Sequence, residues 1–226
     1  MARLARLVIP GLPHHVTQRG NGRARTFFDE ADYALYRDLL AENCRGAAVE
    51  VWAWCLMPNH VHLILVPSDE DGLRRALAPT HRRYAGAIHA RRRRTGHFWQ
   101  ARFGSVVMDE EHLAAALRYV SLNPVRARLV SKPEDWRWSS ARAHLRGRDD
   151  GLTTRGPVCE RFAPIRSFLA EPPDPAAVDR LRAAASIGRP LGDKAFLERL
   201  EALSGRTLQP AKRGPKPQRL APARGE

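Results

Sequence analysis

The chain has 226 residues, with 38 Lys and Arg against 24 Asp and Glu, and its formal charge of +14 draws polyanions to its surface. No apolar run approaches the roughly 20 residues that span a bilayer, and the apolar part of residues 1–7 is too short for a signal peptide, so a soluble cytoplasmic, nucleoid-associated protein is expected. Cys44, Cys55 and Cys159 are odd in number and widely spaced, which argues against a disulfide framework or a zinc ribbon and for buried thiols.

The positive excess is almost all arginine, since only Lys132, Lys194, Lys212 and Lys216 are lysines. A GC-rich genome accounts for that ratio but not for the net charge. Guanidinium forks bind phosphate oxygens in pairs and stack on bases, so the composition agrees with a nucleic-acid partner.

In chain order, a strand is predicted over 14–19. His14 and His15 fall on its opposite faces, so at most one can approach any site built there, and neither is read as a ligand. The turn Gln18-Arg19-Gly20-Asn21-Gly22 offers Arg19 and Asn21 to a backbone phosphate, or simply reverses the chain. A helix follows over 29–45, then a hairpin of 48–57 and 61–66 joined at Pro58-Asn59. At its turn stands His60-Val61-His62, whose two imidazoles alternate onto one face and can grip one cation. Alone, that spacing is more often unremarkable than functional.

A second helix is predicted over 70–93, with Arg74, Arg75, Arg82 and Arg83 along it as DNA-contact candidates. Arg91 to Arg94 read equally well as a solvated face. In Gly96-His97-Phe98-Trp99-Gln100, Trp99 suits a core anchor, whereas His97, Gln100 and the nearby Arg102 suit DNA contact, because aromatic and basic groups together hold unpaired bases. After a strand over 105–108, apolar Leu113, Ala116, Leu117 and Val120 mark a helix from about 109, expected to end at Asn123 because Pro124 disfavours helical geometry there. Tyr119 and Asn123 share a face of that helix. The first can act as a nucleophile and the second can complete a metal's ligand set; a core tyrosine and a C-cap are the bland alternative.

Trp136 and Trp138 look structural, with a serine of Ser139-Ser140 free to N-cap a short helix over 141–145. Residues 146–151 read as an exposed linker and 171–175 as a second break, followed by helices over 176–185 and 194–203. The tail 206–226, basic and proline-rich around Lys212, Arg213 and Lys216, has no core-forming pattern and is expected to be disordered alone. The expected domains are therefore 1–146, an accessory helical region over 147–205, and the tail. The order β-α-β-β-α-β-α is that of an α+β, ferredoxin-like split βαβ sheet, RRM-like, with an added helix.

The chain resembles the REP-associated tyrosine transposases, a branch of the single-tyrosine HUH transposases. The resemblance rests on Pro10-Gly11 to His15-Val16, Gln18 to Asn21, Met57 to His62, Gly96 to Gln100 with Arg102-Phe103, Tyr119 with Asn123 to Ala127, and Trp136 to Ser140. It covers residues 8–145 in the expected order. It implies a tyrosine helix packed across the free face of the sheet, a divalent cation (Mg²⁺ or Mn²⁺) on His60, His62 and Asn123, and attack of Tyr119 on a DNA phosphate. Asn123 stands where relatives that mobilise insertion sequences often carry the longer Gln.

The expected activity is thus a metal-dependent endonuclease and strand transferase on single-stranded or hairpin DNA, working through a 5′-phosphotyrosine, as a monomer or homodimer. It involves neither a membrane nor a small-molecule substrate. Two alternatives stay open: a single-strand-binding module without chemistry, and a metal-dependent nuclease that uses water.

Overall fold

The computed structural model describes residues 6–208. Four strands, β1 (His14–Arg19), β2 (Val49–Met57), β3 (His60–Pro67) and β4 (Gly104–Val107), form one antiparallel sheet in the order β2-β3-β1-β4. Helices α1 (Glu30–Gly46) and α2 (Gly72–Arg92) occupy the crossovers, and α3 (Glu110–Arg126) follows β4. This is the predicted α+β order. Among the described residues no helix is long and apolar enough to cross a membrane.

Strand alternation sorts the core into two layers. Val16 of β1 and Val61, Leu63 and Leu65 of β3 point to the α1–α2 layer, where they meet Phe27, Tyr36, Leu40, Leu77 and Tyr84. Asp29 opens α1 by accepting a hydrogen bond from the Asp32 amide, the expected N-cap. Ile64 and Val66 of β3 point the other way, with Val106 of β4, to Leu113, Leu117 and Val120 of α3. Cys44 and Cys55 are buried, as expected, and Cys159 is half-buried.

The predicted end of the tyrosine helix at Asn123 is corrected. The helix runs through Pro124 to Arg126, with the Ala127 amide closing on the Asn123 carbonyl at 2.9 Å and that of Leu129 on Pro124 at 2.9 Å. A proline removes one N–H and strains one turn. Burial of Val120, Ser121, Asn123 and Pro124 against the sheet outweighs that cost. Asn123 is therefore a helix-interior residue and not a C-cap.

The predicted linker over 146–151 is exposed except at half-buried Asp150, which ties it down. Asp150 accepts from the amides of Leu152 and Thr153 and from Thr153 Oγ1, while the indole of buried Trp54 donates to Thr153 Oγ1 at 3.0 Å. Two further helices, α5 (Gly156–Arg161) and α6 (Ile165–Ala170), follow α4 (Ala141–Arg146) and were not foreseen. Each is six residues long, too short to show a helical repeat. At α4 it is Ser139 Oγ that accepts from the Ala141 amide at 3.2 Å, while Ser140 Oγ accepts from the Trp54 amide.

The last two helices, α7 (Pro175–Ile187) and α8 (Lys194–Ser204), match the expected pair. Helix α7 sits on the α3 side of the sheet, where Val178, Leu181 and Ala184 join the apolar layer. Its approach depends on Gly104: a Cβ there would lie 2.8 Å from the Ala185 carbonyl. Most of the proposed basic tail, residues 209–226, lies outside the described residues.

Candidate active site

Three loops are tied together at one end of the sheet. The Gly20 amide donates to the Asn59 carbonyl at 3.0 Å, that of Asn21 to Phe98 at 2.9 Å and that of Gln100 to Arg19 at 2.9 Å. Gly20 is required, since any Cβ would collide with the Ala24 carbonyl. The ties bring Arg19, His60 and Gln100 to a cavity of about 680 Å³ that also holds His15, His62, Tyr119 and Asn123.

The histidines are held in defined states. His60 Nδ1 lies 2.6 Å from Asn59 Oδ1, an atom that only accepts, so Nδ1 carries the proton and Nε2 is bare. His62 Nδ1 lies 3.0 Å from His15 Nε2, with the two rings stacked at 5.2 Å and 7°. When His62 Nδ1 donates, its Nε2 is bare, and that atom is buried with no partner. Burial, aided by Arg19, pushes His60 down to about 3; burial alone pushes His15 to about 4, and burial with neighbouring charges holds His62 well below the usual range. All three rings are thus neutral at pH 7, with lone pairs available to a cation.

Tyr119 stands edge-on to His62, ring centroids 5.1 Å apart. Asn123, one helical turn on, is buried with a partnerless amide end, Nδ2. The two ends of an amide exchange by a half-turn, so this position suits its oxygen facing a cation. Among the described residues no three His, Cys, Asp or Glu side chains converge on an ion. Two neutral imidazoles and one amide are the donor set on offer, and they fit a divalent cation.

The other predicted DNA contacts divide into two groups. Asn21, Arg82, His97, Gln100 and Arg102 line a second cavity of about 570 Å³, with Phe98 and Trp99 in its wall; Gln100 and Arg102 also line the first. Trp99 is half-buried, its indole donating to the His81 carbonyl at 3.0 Å, as befits an anchor. Arg74, Arg75 and Arg83 are not brought to the site. They pair with Asp71, Asp69 and Glu42 at 2.6, 2.7 and 2.7 Å. Arg75 also reaches the Ala47 carbonyl, beside the far end of the hairpin from His60.

Sequence reasoning passed over three residues of this cavity, Arg23 of the turn after β1 among them. His15 was set aside, although strand alternation places it with Thr17 and Arg19 on the α3 side, where it holds His62. Arg182 of α7 comes from the region expected to be accessory, yet it lines the Tyr119 cavity. No sequence signal marked it.

Comparison with known proteins bears on the family and the fold. The model of the family described as "Transposase IS200 like" matches residues 10–123, about half of the chain. A Haemophilus influenzae Rd protein named "Putative REP-associated tyrosine transposase" is 28% identical over 117 residues, covering 46% of this chain and 66% of that protein. The chain thus spans about two thirds of that relative's length. A solved REP-associated tyrosine transposase bound to a REP hairpin shares the fold at TM-score 0.56 and 22% identity, over 65% of this chain and 86% of that one. A Deinococcus radiodurans R1 structure, titled a putative transposase, gives only TM-score 0.38 at 22% identity, over 53% of this chain and 95% of its own.

Proposed function

From the premise that this chain belongs to the IS200-like transposase family, we propose that it cuts and rejoins single-stranded or hairpin DNA through a 5′-phosphotyrosine on Tyr119. The observation that carries this is Tyr119 packed edge-on against His62, in one cleft with His60 Nε2 bare and His62 Nε2 buried without a partner among the described residues.

In cleavage, Tyr119 Oη attacks phosphorus, the P–Oη bond forms and the bond from phosphorus to the 3′-oxygen breaks. The hydroxyl proton passes to water and the 3′-oxygen takes one from water. The link conserves the phosphodiester energy, so another 3′-hydroxyl can reverse the step and join strands without ATP. A Mg²⁺ or Mn²⁺ ion held by His60, His62 and Asn123 would polarise a phosphate oxygen and offset the charge that develops there. His15 fixes the ring of His62, and α3 fixes Tyr119 relative to Asn123.

The substrate class follows from the cleft's lining. Arg19, Arg23, Arg102 and Arg182 line it and, among the described residues, no carboxylate does, as suits a phosphate backbone. The adjoining cavity, with Arg82, His97 and half-exposed Phe98, suits unpaired nucleotides beside the cut. The solved relative, which holds a REP hairpin, supports hairpin DNA as the substrate. Incubating the protein with Mn²⁺ and labelled single-stranded or hairpin DNA should give a denaturation-resistant adduct that Tyr119→Phe lacks. Cleavage that persisted in that variant would point instead to water as the nucleophile.

A further inference from the structure

We propose that Arg182 is a catalytic residue of this site, delivered by α7: its guanidinium orients the Tyr119 hydroxyl before cleavage and pairs with the phosphotyrosine oxygens afterwards. The inference rests on the reading of Tyr119 as nucleophile and extends the active site beyond residues 10–123, which the family model spans.

Arg182 lines the same cavity as Tyr119, and its Cζ lies 5.5 Å from the tyrosine ring centroid. Arg126, one turn past Asn123 on α3, also approaches that ring, at 5.2 Å. Only Arg182 of these two lines the cavity with His60 and His62.

Its helix is built to hold a fixed position. Asp174 accepts from the Ala176 and Ala177 amides at its start, Leu181 beside Arg182 is buried in the core, and Gly104 admits the Ala185 carbonyl. The guanidinium itself is only loosely committed. Its ion pair is with Asp179 at 3.4 Å, and the side chains are 55% and 76% exposed. A surface pair of that length holds an arginine weakly, so the group can turn from Asp179 to an incoming phosphate.

The chemistry calls for such a group. As Oη bonds to phosphorus, charge accumulates on the non-bridging oxygens, and a two-pronged donor beside the tyrosine ring lies near them. After cleavage the phosphate ester is attached to the ring that Arg182 approaches. The same pairing then holds the ester for attack by the incoming 3′-hydroxyl.

Single-turnover adduct formation at saturating hairpin DNA in Mn²⁺ tests this, with affinity read by fluorescence anisotropy. Arg182→Gln should slow the adduct step by about a hundredfold to a thousandfold, the range of a lost charge-stabilising donor, with affinity falling by no more than about fivefold, as for one phosphate contact among several, and melting temperature unchanged. Arg182→Lys should recover part of the rate, and Arg180→Gln, which removes an exposed charge from the same helix, should match the parent. Parent-like adduct formation by Arg182→Gln would overturn the proposal. So would an equal slowing by Arg180→Gln, or a loss of rate matched by a loss of melting temperature, either of which reduces Arg182 to bulk charge or helix docking. Should the parent form no adduct that Tyr119→Phe abolishes, the nucleophile assignment itself fails and takes this inference with it.

Discussion

On the face of the sheet covered by α1 and α2, buried polar groups meet partners within the fold: Tyr36 Oη lies 2.9 Å from His81 Nε2, and Tyr84 Oη donates to the Thr26 carbonyl at 2.8 Å. On the face covered by α3 and α7, apolar packing gives way near His60 to His15, His62 and Asn123, each buried with an atom that has no partner. An unpaired buried polar group costs roughly 1–3 kcal/mol. The first face serves cohesion; under the proposed function the second would offset that cost by holding a cation and DNA.

The largest test of that contrast is Tyr119→Phe, which should reduce adduct formation by at least about a thousandfold while DNA affinity stays within a few fold, since only the hydroxyl is lost. Anisotropy beside a denaturing gel reads both. If affinity fell in parallel with cleavage, Tyr119 would be a binding residue.

Next, His60→Ala and His62→Ala should each remove metal-stimulated cleavage, with a loss on the order of a hundredfold. Calorimetric titration with Mn²⁺ should show weakened binding, and thermal melting should show a protein that still folds. A variant that bound Mn²⁺ as tightly as the parent would place the ion elsewhere.

The adjacent histidines of β1 sharpen the comparison, because alternation sends them to different faces. His15→Ala should weaken Mn²⁺ binding by about tenfold, the usual scale for a residue that orients a ligand. His14→Ala should leave Mn²⁺ affinity alone and lower stability, since His14 accepts from the Ile9 amide at 3.2 Å and meets the Leu12 carbonyl at 2.8 Å. Similar metal titrations of the two variants would erase the distinction between the faces.

The smallest effect is on stability in mild acid. Burial lowers His14 to about 4 and His81 to about 3 in the folded state, against 6.5 for an unperturbed histidine. Below pH 6.5 the unfolded chain therefore binds protons that the folded chain refuses. Stability is complete above 6.5 and declines as pH falls toward 4, by at most about 1.4 kcal/mol per pH unit for each such histidine. Urea melts at pH 7.5, 6 and 5 measure the slope, which His81→Gln should reduce; an unchanged slope would remove His81 from the account.

Much of the site could be read locally. Strand alternation put His60 and His62 on one face, and the helical repeat put Tyr119 and Asn123 on another, because these relations depend only on backbone geometry within a few residues. The start of α1 near Asp29 and the hairpin at Pro58-Asn59 were legible for the same reason. Proline misled the reading at Asn123, where a local preference met tertiary burial and lost. The charge run at Arg74 and Arg75 could not show that these side chains pair with Asp71 and Asp69, away from the Tyr119 cavity.

The sequence by itself determined the seven elements from β1 to α3 and the pairs within each: the two imidazoles that can face one ion, and the hydroxyl and amide one turn apart. Only the tertiary structure decided which pairs meet. It set His15 against His62 across two strands, carried α3 past Pro124 over the histidines, and brought Arg182 from a distant helix to Tyr119. Those contacts depend on the close approach at Gly104 and on how apolar faces bury against one another, and such long-range fits leave no period in the chain to read.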